Sequence, residues 1–238
     1  MDSFLMIGQS NMAGRGFLQD VSPIENEHLF MLRNGRWQPL ADPVNYDRPF
    51  AGVGPGPSFA EEYYKAFGRE VGLIPCADGG TTISEWAPGG LLYDNAVMTA
   101  KLALRTSELK GILWHQGESD SDRKEDAEQY IRRIVRFFQS LLRDLELSNR
   151  TPILIGELGH YLGSYTGGCD YFETVNQALR DFAGSWDQCG FVSAEGLTSN
   201  PDFLHFNAVS QREFRRRYFN AYCDVINRLS KDEKGDSK

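Results

Sequence analysis

The chain has few cysteines, and their spacing argues against two specialised classes of protein. Only four of its 238 residues are cysteines. No two of them have the Cys-x-x-Cys spacing of a metal or redox site, and four are too few for the disulfide scaffold of so long a chain. We therefore predict reduced, partly buried thiols at Cys76, Cys169, Cys189 and Cys223.

Long apolar runs and an excess of positive charge are also missing. No run approaches the roughly 20 apolar residues of a membrane-spanning helix. The N-terminus enters an apolar segment at once, without the basic and long apolar regions of a secretion signal. There are 25 basic against 33 acidic side chains, a formal net charge of −8. These features predict a cytoplasmic protein that binds neither a membrane nor nucleic acid, and they leave the oligomeric state open.

What is present is an alternation of apolar runs and helical patterns, which predicts an α/β fold. Five buried strands are predicted at residues 4–8, 71–77, 111–115, 152–157 and 191–194. Apolar spacings of three and four predict helices at residues 58–67, 94–106, 125–145, 171–182 and 210–229. This order indicates one domain over residues 1–230, a flavodoxin-like three-layer sandwich with a five-stranded parallel sheet.

Two segments depart from the alternation. Residues 19–57 contain six of the ten prolines and are too long for a simple connection. We expect an ordered excursion over the sheet edge or over the mouth of a site. Residues 231–238 are polar and charged, which predicts a frayed tail.

The most informative single residue is Ser10, which directly follows the first apolar run. A serine hydroxyl becomes a nucleophile when a neighbouring base takes its proton. Of the four histidines, only His205 has a carboxylate three residues before it, in Asp202-Phe203-Leu204-His205. Because the carboxyl ends of parallel strands meet at one edge of a sheet, Ser10, His205 and Asp202 are predicted to form a nucleophile, its base and the acid that orients the base.

Acyl transfer also requires donors that face the developing oxyanion. Gly79 and Gly80 follow the second predicted strand, and a glycine lets a backbone N–H approach a ligand closely. Gln116 follows the third strand, and the backbone N–H of Ser10 would be a further donor. An ordinary tight turn at the glycines and a loop-anchoring amide at Gln116 are the structural alternatives.

These segments resemble the SGNH (GDSL-like) hydrolase superfamily, and more closely its carbohydrate O-acetylesterase branch of sialate O-acetylesterases and acetylxylan-esterase-like proteins. Four blocks in the family's order carry the resemblance: Gly8-Gln9-Ser10-Asn11-Met12, Gly79-Gly80-Thr81 with Trp86, Trp114-His115-Gln116-Gly117-Glu118, and Asp202 with His205. The similarity extends from residue 4 to about residue 218.

The resemblance implies a serine esterase that removes O-acetyl groups from acetylated mono- or oligosaccharides through an acetyl-serine intermediate, without a metal or cofactor. It implies Ser10, Asp202 and His205 as the catalytic triad. The implied oxyanion hole contains the Ser10 N–H, the Gln116 amide and the N–H of Gly79 or Gly80, with Gly80 favoured.

Residues near the predicted mouth are candidates for binding the sugar. The substrate-binding residues are predicted to be Trp86, Tyr46, Gln9, Asn11 and Glu118, with Trp37, Arg15 and Arg48 as further candidates. Aromatic rings could stack on a sugar, and an arginine could meet an acidic one. For Glu118 the alternative is a buttress of the loop that carries Gln116.

Other functions are compatible with parts of the sequence. A non-catalytic carbohydrate-binding module on the same scaffold is one alternative, and an esterase for other small acyl esters is another. Glu118, Asp120 and Asp122 could form a carboxylate set for a metal or for glycoside hydrolysis. The two aspartates are better explained as caps of the following helix.

Overall fold

The computed structural model describes residues 1–235, and its centre is a seven-stranded sheet. The strands are β1 (Asp2–Gly8), β2 (Leu29–Arg33), β3 (Arg36–Pro39), β4 (Val71–Pro75), β5 (Glu108–His115), β6 (Ile153–Gly156) and β7 (Cys189–Val192). Their order is β3-β2-β4-β1-β5-β6-β7, and only β2 and β3 pair antiparallel. The five predicted strands stand as β4-β1-β5-β6-β7, the 2-1-3-4-5 order of flavodoxin-like folds, which confirms the α/β class.

Helices cover both faces of this sheet. They are α1 (Ser10–Ala13), α2 (Gly56–Phe67), α3 (Leu91–Ala103), α4 (Lys124–Asp144), α5 (Phe172–Ser185) and α6 (Ala208–Gly235). Phe4 and Met6 of β1 belong to the core beneath α2 and α6, whereas Leu5 and Ile7 belong to the core beneath α3, α4 and α5. A strand that is buried on both faces is apolar at every position, which explains the uninterrupted run at the N-terminus.

The predicted sheet of five parallel strands is too small. Residues 19–57 contribute the hairpin β2–β3, where only an excursion was expected. Its turn is formed by Asn34 and Gly35 at φ 51° and 71°, the residue pair that tight hairpin turns favour. β2 then pairs in parallel with β4, with Leu29 opposite Val71, so the sheet is mixed. The proline-rich surroundings masked this short hairpin, whose Pro39 is tolerated because β3 is an edge strand.

The last helix is longer than predicted. α6 continues to Gly235, so the backbone of residues 231–235 is helical where a frayed tail was expected, and residues 236–238 of that tail lie outside the described residues. The other predicted helices begin and end within three residues of α2, α3, α4 and α5. Across residues 1–235, no helix has both the length and the apolar character that crossing a bilayer requires.

The four cysteines are free thiols, and Cys76, Cys169 and Cys189 are buried. Burial raises the pKa of each of these three to about 12, so they remain protonated at neutral pH. Such thiols are poor nucleophiles and poor metal ligands.

One edge of the sheet gathers the segments that carry the predicted site. β1 and β5 approach closely there, at Gly8 and His115. Gly8 has φ 131°, and a Cβ on it would lie 2.1 Å from the His115 carbonyl oxygen. Glycine is therefore required at the residue that turns the chain from β1 into Ser10.

Candidate active site

Ser10, His205 and Asp202 meet at this edge. Ser10 is the first residue of α1, and its Oγ lies 3.0 Å from Nε2 of His205. Nδ1 of His205 lies 2.7 Å from Oδ2 of Asp202. These are the distances of a hydroxyl, a base that can take its proton, and an acid that fixes the tautomer of the base. Residues 192 positions apart in the sequence are thus in one hydrogen-bonded row.

The segment from Asp202 to His205 is a tight turn of its own. Oδ1 of Asp202 accepts hydrogen bonds from the backbone N–H groups of Leu204 (2.9 Å) and His205 (3.0 Å). Phe203 adopts φ 54° to close the turn. Burial raises the pKa of Asp202, but the hydrogen bonds from the backbone and ring of His205 outweigh burial and lower that pKa below its ordinary value. Asp202 is therefore ionised beside the imidazole, as the acid of such a row needs to be.

Two backbone N–H groups beside Ser10 are free to receive an oxyanion. Within the described chain, the N–H groups of Ser10 and Gly80 donate to no protein acceptor. The N–H of Gly79 donates to Oδ2 of Asp47 at 2.9 Å. Gly80 is exposed and has φ 81°, and both glycines line the same cavity as Ser10. The contacts therefore favour Gly80 over Gly79 as a donor.

Gln116 does not reach the cavity in this structure. Its side chain is fully buried, and Nε2 donates to Asp120 Oδ2 (2.6 Å), the Thr81 carbonyl oxygen (3.0 Å) and Gln9 Oε1 (3.1 Å). Its Oε1 accepts from the Tyr130 hydroxyl. Both amide hydrogens are thus used, so the geometry supports the loop-anchoring alternative over the predicted oxyanion donor. The loops after β1, β4 and β5 are tied together through this one amide.

Three predicted substrate-binding residues belong mainly to the floor beneath the site. Gln9 touches the cavity, but its Oε1 accepts from the backbone N–H of Gly117 at 3.1 Å. Asn11 and Glu118 are buried and bond to each other, with Asn11 Nδ2 2.5 Å from Glu118 Oε1. Both atoms of the Asn11 carboxamide are thus hydrogen-bonded within the protein, which favours a structural role for Asn11 over the predicted contact with a sugar.

The aromatic residues predicted at the mouth lie elsewhere. Trp86 is fully buried against Trp114 and Phe137, and its Nε1 donates to Thr81 Oγ1. Apolar packing explains its position, because an indole buried among rings gains more than one left in water. It stabilises the loop after β4 and cannot stack on a substrate.

Tyr46 and Trp37 do not line the cavity either. Tyr46 is exposed, but its ring lies 4.2 Å from the Arg33 guanidinium and does not line the cavity. Trp37 lies on β3 at the sheet edge, where its Nε1 donates to Thr106 Oγ1. Aromatic character alone could not locate the mouth, because ring positions depend on how residues 19–57 fold.

The cavity beside Ser10 has a volume of about 580 Å³ and is open to solvent. Its rim carries two aromatic rings that the sequence did not single out, Phe50 and Tyr165. Phe50 is 69% exposed, and the Arg15 guanidinium lies 5.3 Å from the centre of its ring. The expected covering of a mouth by residues 19–57 was the signal that could have identified Phe50.

Arg15 and Arg48 also line the cavity, and both are paired. Arg15 binds Asp47 through both terminal nitrogens, at 2.5 and 3.2 Å. Arg48 lies 3.0 Å from Asp78 and donates to the Gly79 carbonyl oxygen at 2.7 Å. These contacts hold the excursion against the glycine loop, so the arginines shape the rim of the cavity.

Known structures share this architecture. A crystal structure of a protein from Arabidopsis thaliana superposes with a TM-score of 0.83 at 30% identity, covering 94% of this chain and 98% of that one. NanS superposes with a TM-score of 0.75 at 16% identity, covering 94% and 97%. A carbohydrate acetylesterase from Xanthomonas citri gives 0.70 at 17% identity, covering 95% of this chain and 57% of that one.

Sheet order and the serine–histidine–aspartate row together define an SGNH-like hydrolase. Residues 1–224 match the family model described as carbohydrate esterase, sialic acid-specific acetylesterase. A protein of Arabidopsis thaliana named as a probable carbohydrate esterase is 31% identical over 241 residues, covering 92% of this chain and 89% of that protein. The chain belongs to this carbohydrate esterase family.

Proposed function

We propose that the chain is a serine esterase that removes O-acetyl groups from acetylated carbohydrates of the sialic acid or xylo-oligosaccharide type. The observation that carries this proposal is the row from Ser10 Oγ through His205 to Asp202, with contacts of 3.0 and 2.7 Å. Membership of a carbohydrate esterase family supports a substrate that is an ester of a carbohydrate.

In the proposed reaction, Ser10 Oγ attacks the acetyl carbonyl carbon while His205 Nε2 takes the hydroxyl proton. The tetrahedral intermediate collapses when His205 returns this proton to the sugar oxygen, which leaves as a hydroxyl. Water, deprotonated by His205, then attacks the acetyl-serine, and His205 returns the proton to Ser10 Oγ as acetate is released. Asp202 remains ionised and stabilises the imidazolium at each step.

The negative charge of each intermediate would be received by the free N–H groups of Ser10 and Gly80. A donor of this kind is worth about 3 kcal/mol in the transition state when it is preorganised. Gly79, whose N–H is bound to Asp47, contributes by holding the loop in place.

The proposed leaving group, a sugar, would occupy the open part of the cavity. Phe50 and Tyr165 present rings on its rim, and a sugar ring can pack its apolar face against them. Arg48 adds a partly exposed guanidinium, which an acidic sugar could approach. A cavity of about 580 Å³ is large enough for more than one sugar unit.

The decisive experiment compares the wild type with Ser10→Ala on 4-nitrophenyl acetate, acetylated xylo-oligosaccharides and O-acetyl sialic acids. We expect kcat/KM to fall by at least about 10⁴-fold in Ser10→Ala, because the nucleophile is removed. Ser3→Ala is the matched control, since Ser3 is a buried serine at the other end of β1 and should retain activity.

Two outcomes would contradict the proposal. Activity retained by Ser10→Ala would exclude the acetyl-serine mechanism. A wild type that binds acetylated sugars without releasing acetate would instead favour the non-catalytic binding module. Mass spectrometry of the protein during turnover provides a direct check, because the intermediate adds one acetyl group to Ser10.

A further inference from the structure

Asn11 holds the backbone on both sides of the proposed base. Its Nδ2 donates to the carbonyl oxygen of Leu204 at 3.2 Å, and its Oδ1 accepts from the N–H of Phe206 at 3.0 Å. The residue between these two contacts is His205. Since Asn11 directly follows Ser10 on α1, the nucleophile and the base are both fixed to the same helical turn.

Glu118 determines which way this carboxamide points. Its Oε1 accepts from Asn11 Nδ2 at 2.5 Å, and its side chain is 1% exposed. Burial raises the pKa of Glu118, but His115, whose Nε2 lies 3.4 Å from Oε1, and Asn11 outweigh burial and lower that pKa. An ionised carboxylate can only accept hydrogen bonds. The amide nitrogen of Asn11 must therefore face Glu118, which leaves the amide oxygen for Phe206.

The contact between Asp202 and His205 cannot fix the position of His205 relative to Ser10. Asp202 and His205 lie in the same turn, so their hydrogen bonds would be preserved if the whole turn moved away from Ser10. Beyond its own turn, the segment is tied to α1 by Asn11 and to the residues after α1 by Asn200, which donates to the Arg15 carbonyl oxygen at 2.9 Å. Asp202 orients the ring of His205. The distance between His205 and Ser10 depends instead on the hydrogen bonds of Asn11 and Asn200, which join the His205 segment to α1 and the residues after it.

We infer that Glu118, acting through Asn11, is a positioning residue that sets the distance between His205 and Ser10. This inference rests on the proposed function and adds to it a second carboxylate that acts on the base through the backbone. Neither Glu118 nor Asn11 touches the reacting atoms in this arrangement. Their effect is geometric, and a displacement of the base by about 1 Å can lower a rate about 100-fold.

The test uses two variants that each remove one partner, Glu118→Met and Asn11→Leu, in the full chain. For each we expect kcat on 4-nitrophenyl acetate to fall about 100-fold, with a much smaller change in KM, because Asn11 does not line the cavity and the Glu118 side chain is only 1% exposed where it borders the cavity. The matched control is Glu157→Met. Glu157 is equally buried and accepts from Ala194 N, Ser193 Oγ and Arg180 Nη2, and none of its hydrogen bonds within the described chain involves residues 202–205. It should lose stability without losing kcat.

A rescue variant separates positioning from general packing. In Glu118→Gln the side-chain oxygen can still accept from Asn11, so kcat should remain within about fivefold of the wild type, the value of one ordinary hydrogen bond. The double variant Asn11→Leu/Glu118→Met should lose no more than either single variant, because both act on one contact. Losses that multiply, or a kcat of Glu118→Met equal to that of Glu157→Met, would overturn the inference.

A crystal structure gives a readout that does not depend on turnover. In Glu118→Met the distance between Ser10 Oγ and His205 Nε2 should exceed hydrogen-bonding distance, while His205 and Asp202 remain in contact. If Glu118→Met does not fold, Asn11→Leu provides the same measurement. An unchanged Ser10–His205 distance in a folded variant would refute the positioning role, whereas an inactive wild type would refute the proposed function and leave this measurement intact.

Discussion

The two sides of the active-site row are built in different ways. Around Ser10 the polar groups are buried: the side chains of Glu118 and Asp120 are each 1% exposed, and they accept hydrogen bonds from Asn11 and Ile83 of other loops. The side of His205 is a short turn in which Asp202 remains 44% exposed and bonds within its own four residues. The first side is a rigid floor, and the second is a self-contained turn fastened to it.

The carboxylates of the two sides show the difference in their pKa values. On the floor, burial raises the pKa of Asp120 to about 6, although Gln116 and Ile83 donate to it, whereas His115 and Asn11 outweigh burial at Glu118 and lower its pKa. In the turn, hydrogen bonds overcome burial and lower the pKa of Asp202. A carboxylate buried in the floor is therefore ionised only where its neighbours outweigh burial, as at Glu118, while the partly hydrated turn keeps Asp202 ionised.

The largest effect is expected from Asp202→Asn, which leaves the turn but removes its charge. We expect kcat to fall about 10⁴-fold, because an asparagine allows the wrong tautomer of His205. The free energy of unfolding should change by less than about 1 kcal/mol, since the pair is partly exposed. Parallel measurement of kcat and urea unfolding tests both. Asp181→Asn, an exposed aspartate on α5, is the control for loss of charge. A stability loss as large as that of a buried pair would show that the turn is not self-contained.

A smaller effect is expected at the floor, where the adjacent glycines differ. A Cβ on Gly79 would lie 2.3 Å from Arg15 Nη2 and 3.3 Å from the Cβ of Ser10, whereas a Cβ on Gly80 would meet nothing within 4 Å. Gly79→Ala should therefore displace the donor loop and lower kcat about 100-fold.

Gly80→Ala should instead introduce only backbone strain of about 1 kcal/mol from its left-handed conformation. Thermal unfolding and kcat of the two variants, measured side by side, test this difference. Equal kcat values for both would show that the rigidity of the loop is not what positions the oxyanion donor.

The smallest effect is a change in how stability depends on pH. The pKa of Asp120 is raised from 3.8 to about 6 by folding, so the folded chain binds its proton more tightly. Stability from this group is present below about pH 4 and is lost as pH rises to about 6, at most about 3 kcal/mol. Asp202, whose pKa is lowered, acts in the opposite direction and loses stability as pH falls through its folded pKa.

Asp120→Asn removes the titrating group and can retain an oxygen for Gln116 and Ile83. Urea unfolding at several values between pH 4 and 7 should show the wild type losing stability relative to this variant as pH rises. A constant difference across that range would mean that Asp120 is ionised at its ordinary pKa and that the floor tolerates charge as well as the turn does.

Much of the fold could be predicted from the sequence, because local hydrophobic patterns indicate where its strands and helices lie. The uninterrupted apolar run at β1 and the helical spacings of α2 to α5 located those elements within three residues, and the spacing of α6 located its start within two. The hairpin β2–β3 was missed although Asn34 and Gly35 mark its turn, since short strands among prolines have no clear periodicity.

Within the candidate site, residue type and sequence spacing were sufficient to predict the pair of Asp202 and His205, because the chemistry requires both the residue types and their proximity. Asp202 and His205 are three residues apart in one turn, so their contact is local and can be predicted from the sequence. The sequence predicted substrate binding for Asn11 but not its contacts with Leu204 and Phe206, because these contacts join residues far apart in the sequence. The same holds for Trp86, whose burial depends on rings that α4 brings to it.

The amino-acid sequence by itself determined the layers of this protein, since its hydrophobic patterns locate the strands and helices. It also indicated the three groups that would meet at one sheet edge, because the carboxyl ends of parallel strands lie together. Only the tertiary structure decided which amide faces which acceptor, which ring reaches the cavity and which carboxylate keeps its charge. These properties arise from contacts between distant segments, and a hydrogen bond or a buried surface exists only when both partners are in place.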